Sequence, residues 1–244
     1  MMDHRELVYA RYRAGQNKGL DPDLELQLRR PYLRRVFQRY VPVTSISSVL
    51  DLGCGCGTIL RVLKEIGIKD AQGVDRSSEC VTLALKSGLN VAHSDILSFL
   101  RHSGQQAWDV IIAFDVLEHF TKDELVEVLD LITIHLAPRG WLVAHVPNGE
   151  SVFGTRVFSN DITHQTIFTR NSLHQVLVPL GYQHIRCFED VPVVHGTKSA
   201  LRSLGWVVIR TLALVPLVLE TGSRGPYILS QTMLMTARHM GRQG

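Results

Sequence analysis

The sequence carries little net charge, few cysteines and no leader-like start. Its formal net charge is only +3 over 244 residues, too small an excess to indicate nucleic acid as a partner. The first six residues, Met-Met-Asp-His-Arg-Glu, are polar and charged, so no signal peptide is expected. Two of the 4 cysteines, Cys54 and Cys56, have a spacing that suits neither a disulfide nor a zinc knuckle. We therefore expect reduced thiols in a cytoplasmic protein.

Internal repeats, low-complexity tracts and an interdomain linker are also missing. A chain of 244 residues is long enough to bury a full α/β core. Strand and helix patterns alternate over residues 49–146, which predicts a parallel sheet wound by right-handed crossovers. Ligands of such sheets bind outside the carboxyl ends of the strands.

What the sequence does contain is a glycine-rich turn between a strand and a helix. Residues 49–57 read Val-Leu-Asp-Leu-Gly-Cys-Gly-Cys-Gly, and helical spacing begins at Thr58. Alternating glycines let the backbone approach a ligand closely, and a helix N-terminus attracts an anionic group. The turn lacks the Lys-Ser/Thr of a P-loop and the Gly-x-Gly-x-x-Gly spacing of nicotinamide-binding domains. A short apolar strand ending at Asp75 follows, where such folds place a carboxylate on a ribose.

With these motifs the chain resembles the class I S-adenosylmethionine-dependent methyltransferases. The similarity continues in order through residues 93–96, 108–119 and 136–148, and covers roughly residues 45–190. It implies an α/β fold: a Rossmann-like, seven-stranded, mostly parallel sheet flanked by helices, with a helical insertion before the last strand. It also implies that the glycine turn holds the methionine part of the cofactor, Asp75 the ribose and Asp95 the adenine. The full set of cofactor-binding residues it implies is Asp51, Gly53, Cys54, Gly55, Gly57, Asp75, Arg76, Asp95, Ile96, Phe114 and Asp115.

Two histidines are the candidates for a general base. His164 lies in the polar stretch Asp161-Ile-Thr-His, which with the following Phe-Thr resembles a signature of bacterial O-methyltransferases acting on sugars and related small or lipid-linked molecules. We expect His164 to be the base and Asp161 to orient it, because a neutral imidazole can accept a proton at neutral pH. His119, which follows Asp115 and Glu118, is the second candidate. A similar acid-x-x-Glu-His triplet in quinone-type O-methyltransferases has been associated with a divalent ion, but no metal is assigned here.

Four parts are predicted along the chain. Residues 1–44 form an N-terminal helical cap, in which Tyr9, Tyr12 and Lys18 either cover the cofactor cleft or belong to a frayed terminus. Its part from 24 to 40 is read as one broken or two short helices, with several arginines that form a solvated face or a phosphate site. Residues 45–190 form the cofactor-binding core, 191–225 a helical insertion, and 226–244 the last strand and tail. Within the core we expect a helix capped by Thr121 and Glu124, a helix at 165–180 and a strand at 182–188; the last strand is expected at 228–237.

The insertion is where the chain departs from the minimal family fold. Its apolar run, near residues 200–219, is judged too short for a bilayer and is interrupted by Arg210. It is read either as a helix packed on the domain or in a homodimer, or as a lid or dock for a lipid-bearing acceptor at the inner membrane surface. The expected partner is a small-molecule or lipid-linked acceptor.

The predicted activity is O-methylation of a hydroxyl on a sugar, glycan precursor or natural product, with S-adenosylmethionine as cofactor. A phenol or quinone precursor is the alternative acceptor. Two further hypotheses are a catalytically silent cofactor-binding or scaffold protein and a nicotinamide-binding domain.

Overall fold

The computed structural model describes Val8 and residues 21–41, 46–223 and 225–240. The strands are β1 (Ser48–Leu52), β2 (Asp70–Asp75), β3 (Asn90–His93), β4 (Trp108–Phe114), β5 (Leu136–Pro147), β6 (Tyr182–Glu189) and β7 (Thr232–His239). The helices are α1 (Pro22–Tyr40), α2 (Thr58–Glu65), α3 (Ser78–Lys86), α4 (Ile96–His102), α5 (Lys122–His135), α6 (Gly154–Phe158), α7 (Arg170–Leu177) and α8 (Thr197–Thr221), with a 3₁₀ turn at Leu117–His119. The predicted contribution of Tyr9, Tyr12 and Lys18 lies outside the described residues.

The strands form one seven-stranded sheet in the order β3-β2-β1-β4-β5-β7-β6. Neighbours among β1 to β5 pair in parallel, while β7 pairs antiparallel with both β5 and β6. This confirms the predicted Rossmann-like fold class. The carboxyl ends of β1, β2, β4 and β5 therefore meet along one edge, and the insertion that contains α8 leaves and re-enters the sheet at that same edge.

Apolar side chains fill both faces of the sheet. One core packs α4, α5 and α7 against it and includes the fully buried Ile111, Leu142 and Met235. The other packs α1, α2 and α3 against the opposite face, with Val110, Ile112 and Val143 contributed by the strands. Because successive strand residues point to opposite faces, β4 and β5 are buried on both sides, which accounts for their nearly continuous apolar sequence.

The N-terminal helix is continuous, so the prediction of a broken helix or two short ones is wrong. Pro31 lies inside α1 and removes one backbone donor there. Leu26, Leu33 and Phe37 are buried on both sides of that position, and their packing keeps the helix together across it. Asp21 caps the first turn by accepting hydrogen bonds from the next backbone amides. The arginine-rich face is partly paired, since Arg30 and Arg34 form ion pairs with Glu65 on α2.

Two other element boundaries differ from those predicted, while the capping box of α5 at Thr121 and Glu124 is confirmed. Helix α7 begins at Arg170 instead of residue 165, because Thr169 caps it with Ser172. Strand β7 begins at Thr232 instead of residue 228 and lies inside the sheet, with β6 at the edge. The preceding residues bind elsewhere: the Asn148 side chain donates to the carbonyls of Ile228 and Ser230.

Helix α8 spans 25 residues, so the argument that the apolar segment is too short for a bilayer is wrong. The prediction counted only the run between charged residues, but the helix continues through Arg202, Arg210 and Pro216. By length and composition alone, α8 is one helix in the described part of the chain that could cross a membrane. It is also poorly covered by the domain, since Ser199 is its only buried residue. The division of the chain into four parts remains a prediction.

Candidate active site

The glycine turn joins β1 to α2 and is fastened to β2. The backbone N–H groups of Gly53 and Cys54 both donate to the Val74 carbonyl, at 2.8 and 3.1 Å. Gly53 has a left-handed φ of 68°, and a Cβ there would lie 2.5 Å from Cγ2 of Val116. Gly55 and Gly57 also have positive φ. The turn therefore has a backbone conformation that favours glycine over residues with a side chain. It lies next to the residues that follow β4.

Asp75 is the last residue of β2 and contacts this turn. Its carboxylate accepts hydrogen bonds from the N–H groups of Gly55 at 2.8 Å and Ser77 at 2.7 Å. Burial raises the pKa of Asp75, against the opposing effect of those two amides. Arg76 follows it, and its carbonyl lies 3.0 Å from Nε2 of His93 at the end of β3. The carboxylate thus links the glycine turn to the start of α3.

Asp95 is the N-cap of α4, whose first residue is Ile96. Its carboxylate accepts from the Ser98 N–H at 2.9 Å. Burial opposes ionisation of Asp95, but the Ser98 hydrogen bonds and the charge of Arg76 lower its pKa below the usual value. An ionised acceptor therefore stands at the same edge, one strand beyond Asp75.

Asp51 is a buried carboxyl group with no hydrogen-bond partner on either oxygen in the described structure. Only 1% of the residue is exposed, and burial raises the pKa of this carboxyl well above its usual value. Burying an unpaired acid is costly, so a cationic ligand group nearby would relieve that cost. The ammonium and sulfonium of S-adenosylmethionine are such groups, and the glycine turn beside Asp51 provides the required close backbone approach.

The end of β4 forms an ion-pair network that the sequence did not reveal. His145 on β5 places Nδ1 2.5 Å from Asp115 Oδ1 and Nε2 3.2 Å from Asp190 Oδ2. A carboxylate only accepts, so both ring nitrogens donate and His145 is an imidazolium. Burial opposes this charge, yet Asp115 and Asp190 raise the pKa of His145 to about 10. His145 is therefore not a proton acceptor at neutral pH.

Asp115 is held by that imidazolium and by α1. Burial alone would raise the pKa of Asp115, but the charge of His145 and its hydrogen bond hold it below the usual range. Nη2 of Arg29 lies 3.6 Å from its other oxygen. The Phe114 ring stacks near His145 at a centroid distance of 5.5 Å, and Tyr32 meets the imidazole edge-on at 6.2 Å. Helix α1 thus covers the exit of β4.

Asp161 is linked through Thr163 to His119, a different histidine from the one predicted. Its carboxylate accepts from the N–H of Thr163 at 2.9 Å and from the Thr163 hydroxyl at 2.6 Å. That hydroxyl in turn lies 2.8 Å from Nδ1 of His119. His164 instead places Nδ1 2.8 Å from the Phe158 carbonyl. The prediction that Asp161 orients His164 is thus corrected: Nδ1 of His164 is held by the Phe158 carbonyl, while Thr163 donates to Oδ1 of Asp161.

These hydrogen bonds fix the tautomers of both imidazoles. A carbonyl only accepts, so Nδ1 of His164 carries the proton and Nε2 carries the lone pair. The single hydrogen of the Thr163 hydroxyl goes to Asp161, so Nδ1 of His119 must also donate. Burial and the neighbouring His164 lower the pKa of His119, which favours its neutral form. In the neutral form of each imidazole, the lone pair therefore lies on Nε2.

Glu118 lies close to both of these imidazoles. It is 1% exposed, its Oε1 lies 3.9 Å from Nε2 of His164, and its Oε2 has no hydrogen-bond partner in the described residues. Burial raises its pKa well above the usual value, and the charge of Asp115 adds to that shift. The donor atoms of Glu118, His119 and His164 lie within 4.8 Å of one another. If a cation binds here, His164 completes its ligand set, since Asp115 is paired with His145.

Sequence reasoning found the cofactor turn and the two histidines but missed His145 and Asp190. One signal was present: an ionisable residue in the middle of the apolar run Leu-Val-Ala-His-Val of β5 needs a buried partner. Its partners lie 30 and 45 residues away in the chain, where spacing gives no guide. The Sγ atoms of Cys56 and Cys80 lie 3.2 Å apart, and the reduced state of the four cysteines remains a prediction.

A methyltransferase domain family matches residues 24–187 of the chain. This match covers more than half of the 244 residues and includes every element of the cofactor site. The chain belongs to this methyltransferase family. It is an enzyme whose cofactor is S-adenosylmethionine, which the turn at Gly53, the carboxylate of Asp75 and the unpartnered Asp51 fit.

Solved structures of methyltransferases share the fold. A S-adenosylmethionine-dependent methyltransferase from Archaeoglobus fulgidus is 23% identical with a TM-score of 0.65, over 97% of this chain and 100% of that one. An O-methyltransferase family protein from Burkholderia thailandensis is 14% identical with a TM-score of 0.64, over 98% of this chain and 64% of that one. Phosphoethanolamine N-methyltransferase 2 of Haemonchus contortus, in complex with S-adenosylmethionine, is 16% identical with a TM-score of 0.59, over 86% and 52%. No curated protein sequence matches the chain.

Proposed function

We propose that this methyltransferase transfers the methyl group to a hydroxyl on a sugar, glycan precursor or natural product. The sulfonium of the cofactor already carries a good leaving group, so the protein has to align the acceptor and remove its proton. Alignment at near-attack distance supplies several kcal/mol, and a general base adds roughly a hundredfold or more. A neutral hydroxyl needs this proton transfer, so a base beside the cofactor site favours such an acceptor.

The observation that carries the proposal is the fixed tautomer of His164. The Phe158 carbonyl holds its Nδ1–H, so the lone pair of Nε2 is available at the carboxyl edge of the sheet. The imidazolium of His145 cannot serve, because two carboxylates hold its protons. His119 remains the second candidate for the base, since Thr163 fixes it in the same tautomer. We therefore assign His164 as the base and Asp161 as a group that positions His119 through Thr163.

The alternatives differ in what they require. A phenol or quinone precursor would suit an apolar groove, and α8 exposes apolar side chains near this edge. An amine acceptor is the other case, since the H. contortus neighbour is an N-methyltransferase of phosphoethanolamine. A silent scaffold has no use for a buried unpartnered Asp51 beside an intact glycine turn. A cytoplasmic location remains a prediction.

Formation of S-adenosylhomocysteine with matched acceptors tests the class. We expect turnover with free glycosides or nucleotide sugars to exceed turnover with phenols and primary amines by at least tenfold. With the best acceptor, His164→Ala should lower kcat by roughly a hundredfold or more while cofactor affinity stays near that of the unmodified enzyme. His174→Ala on α7 is the matched control and should change neither quantity. Preference for an amine would contradict the proposed acceptor, and normal turnover of His164→Ala would contradict the proposed base.

Melting temperatures separate chemistry from structure. A variant that loses activity only because its melting temperature falls would show that His164 holds the loop to the sheet, and His119 would then be tested in the same way.

A further inference from the structure

Helix α8 is an apolar element that the domain leaves open. Its most apolar 18-residue window has a mean hydropathy of 1.7, and none of that window is buried. Exposed apolar patches of this size on a soluble domain mark interaction surfaces.

The outward side of α8 is a continuous aliphatic stripe. Six side chains recur at intervals of three and four residues and are between 51% and 80% exposed: Leu201, Leu204, Val208, Leu212, Val215 and Leu219. Val207 and Ile209, on the two flanks of this stripe, are also 56% and 47% exposed. The exposed apolar arc is therefore wider than the single stripe that one packed helix covers, which favours a surrounding lipid environment over a second copy of the chain.

The inward side holds α8 against the sheet edge. Nε of Arg210 donates to both oxygens of Glu189 at 3.0 and 2.8 Å, and its guanidinium also reaches the Tyr227 carbonyl. The cation in the middle of the apolar run thus points into the domain and leaves the stripe free of charge. This ion pair ties the middle of α8 to the end of β6, so α8 could cross a bilayer only if that contact opened.

The charges of α8 fit an anionic membrane surface. Lys198 and Arg202 lie exposed in its first two turns, and its single acid, Glu220, comes at the far end. Cationic side chains beside an apolar helix face are attracted to anionic headgroups. The side chains that would meet the membrane are therefore aliphatic along the helix and basic at its start.

We propose that α8 docks the enzyme onto an anionic lipid bilayer, with the stripe in the headgroup region and Lys198 and Arg202 on lipid phosphates. The insertion leaves the sheet at the edge where Asp75, Asp115 and His164 lie, so docking brings the cofactor site to the membrane surface. That the acceptor is itself lipid-linked rests on the proposed function, whereas binding to the bilayer does not.

Flotation of the full-length protein with vesicles tests this docking. With vesicles of phosphatidylcholine and phosphatidylglycerol, we expect most of the protein to float. Leu204→Ser with Val208→Ser and Leu212→Ser should lower the bound fraction at least tenfold. Leu85→Ser with Val126→Ser and Ile134→Ser changes apolar residues on α3 and α5 that are also at least half exposed, and this control should float like the unmodified protein. Equal loss in the control would overturn the assignment to α8.

Two further measurements distinguish the source of binding. Lys198→Ser with Arg202→Ser should reduce binding severalfold on anionic vesicles and leave weak binding to pure phosphatidylcholine unchanged. The proposal would be overturned in favour of a second copy if the protein does not bind vesicles and forms a dimer, and if the α8 triple variant is a monomer. Protein that resists alkaline extraction would show insertion across the bilayer and would overturn it too. The affinity of each variant for S-adenosylhomocysteine reports folding and distinguishes these outcomes from failure of the methyltransferase assignment.

Discussion

Nδ1 of His145 lies 2.5 Å from Oδ1 of Asp115, joining the carboxyl ends of β4 and β5 through an ion pair. On its other nitrogen the same imidazole meets Asp190, which also accepts from the Thr232 hydroxyl at 2.9 Å. One histidine thus ties together the exit of the cofactor half and the start of the insertion.

This ion pair predicts a specific dependence of stability on pH. The pKa of His145 is raised from its unfolded value near 6.5 to about 10. Its contribution is therefore fully present below pH 6.5 and lost as the pH rises towards 10. We expect His145→Gln to lower the melting temperature at pH 6 by roughly 3 to 12 °C, taking about 1.5 to 3 kcal/mol for a charged hydrogen bond.

The difference in melting temperature between the unmodified protein and His145→Gln should shrink between pH 7 and 10. His102→Gln, which changes an exposed histidine on α4, serves as the control and should match the unmodified protein throughout. A melting-temperature difference that stays constant with pH would show that His145 stabilises the fold by packing alone.

Asp75 predicts the strength of cofactor binding. Loss of a charged hydrogen bond to the ribose costs about 1.5 to 3 kcal/mol, so Asp75→Ala should weaken S-adenosylhomocysteine binding roughly tenfold to a hundredfold. Asp70→Ala, at the exposed start of the same strand, should leave the affinity unchanged. Calorimetry on both variants measures the difference, and equal affinities would remove Asp75 from the site.

Gly53 tests the shape of the turn. An alanine there would place Cβ 2.5 Å from Val116 Cγ2 at a left-handed φ, so either the turn or the Val116 side chain has to shift. We expect Gly53→Ala to lower cofactor affinity at least tenfold. Gly67→Ala, also at positive φ but with no atom within 4 Å of the new Cβ, should cost only about 1 to 2 kcal/mol of stability from backbone strain. Equal affinities in the two variants would show that the clash with Val116 does not disturb the cofactor site.

The cofactor half was predictable because its determinants are local in sequence. The glycine turn, Asp75 and the capping box at Thr121 each span a few residues, and the alternation of strands and helices indicates the parallel sheet. The network around His145 was not predictable, because Asp115 and Asp190 reach it only when β4, β5 and β6 are assembled. The Asp161–Thr163–His119 contacts were missed for a related reason: Asp161 is close to His164 in sequence, but the backbone turns its carboxylate to Thr163.

The insertion shows what amino-acid composition alone could not predict about α8. Arg210 seemed to interrupt an apolar run, whereas in the folded chain it pairs with Glu189 and the helix continues past it. Only the side to which a charged residue points decides whether it breaks an apolar surface, and that side depends on the partner.

The antiparallel pairing of β6 and β7 has a consequence for how this enzyme could diversify. Phe188 lies opposite Leu234 and Glu189 opposite Met233, so the chain leaves and returns to the sheet at adjacent positions. Segments of any length can be exchanged at such a junction while the strand register stays the same. Evolution can therefore replace helix α8 without altering the strands that carry the cofactor site, and an engineer could graft another segment at the same place.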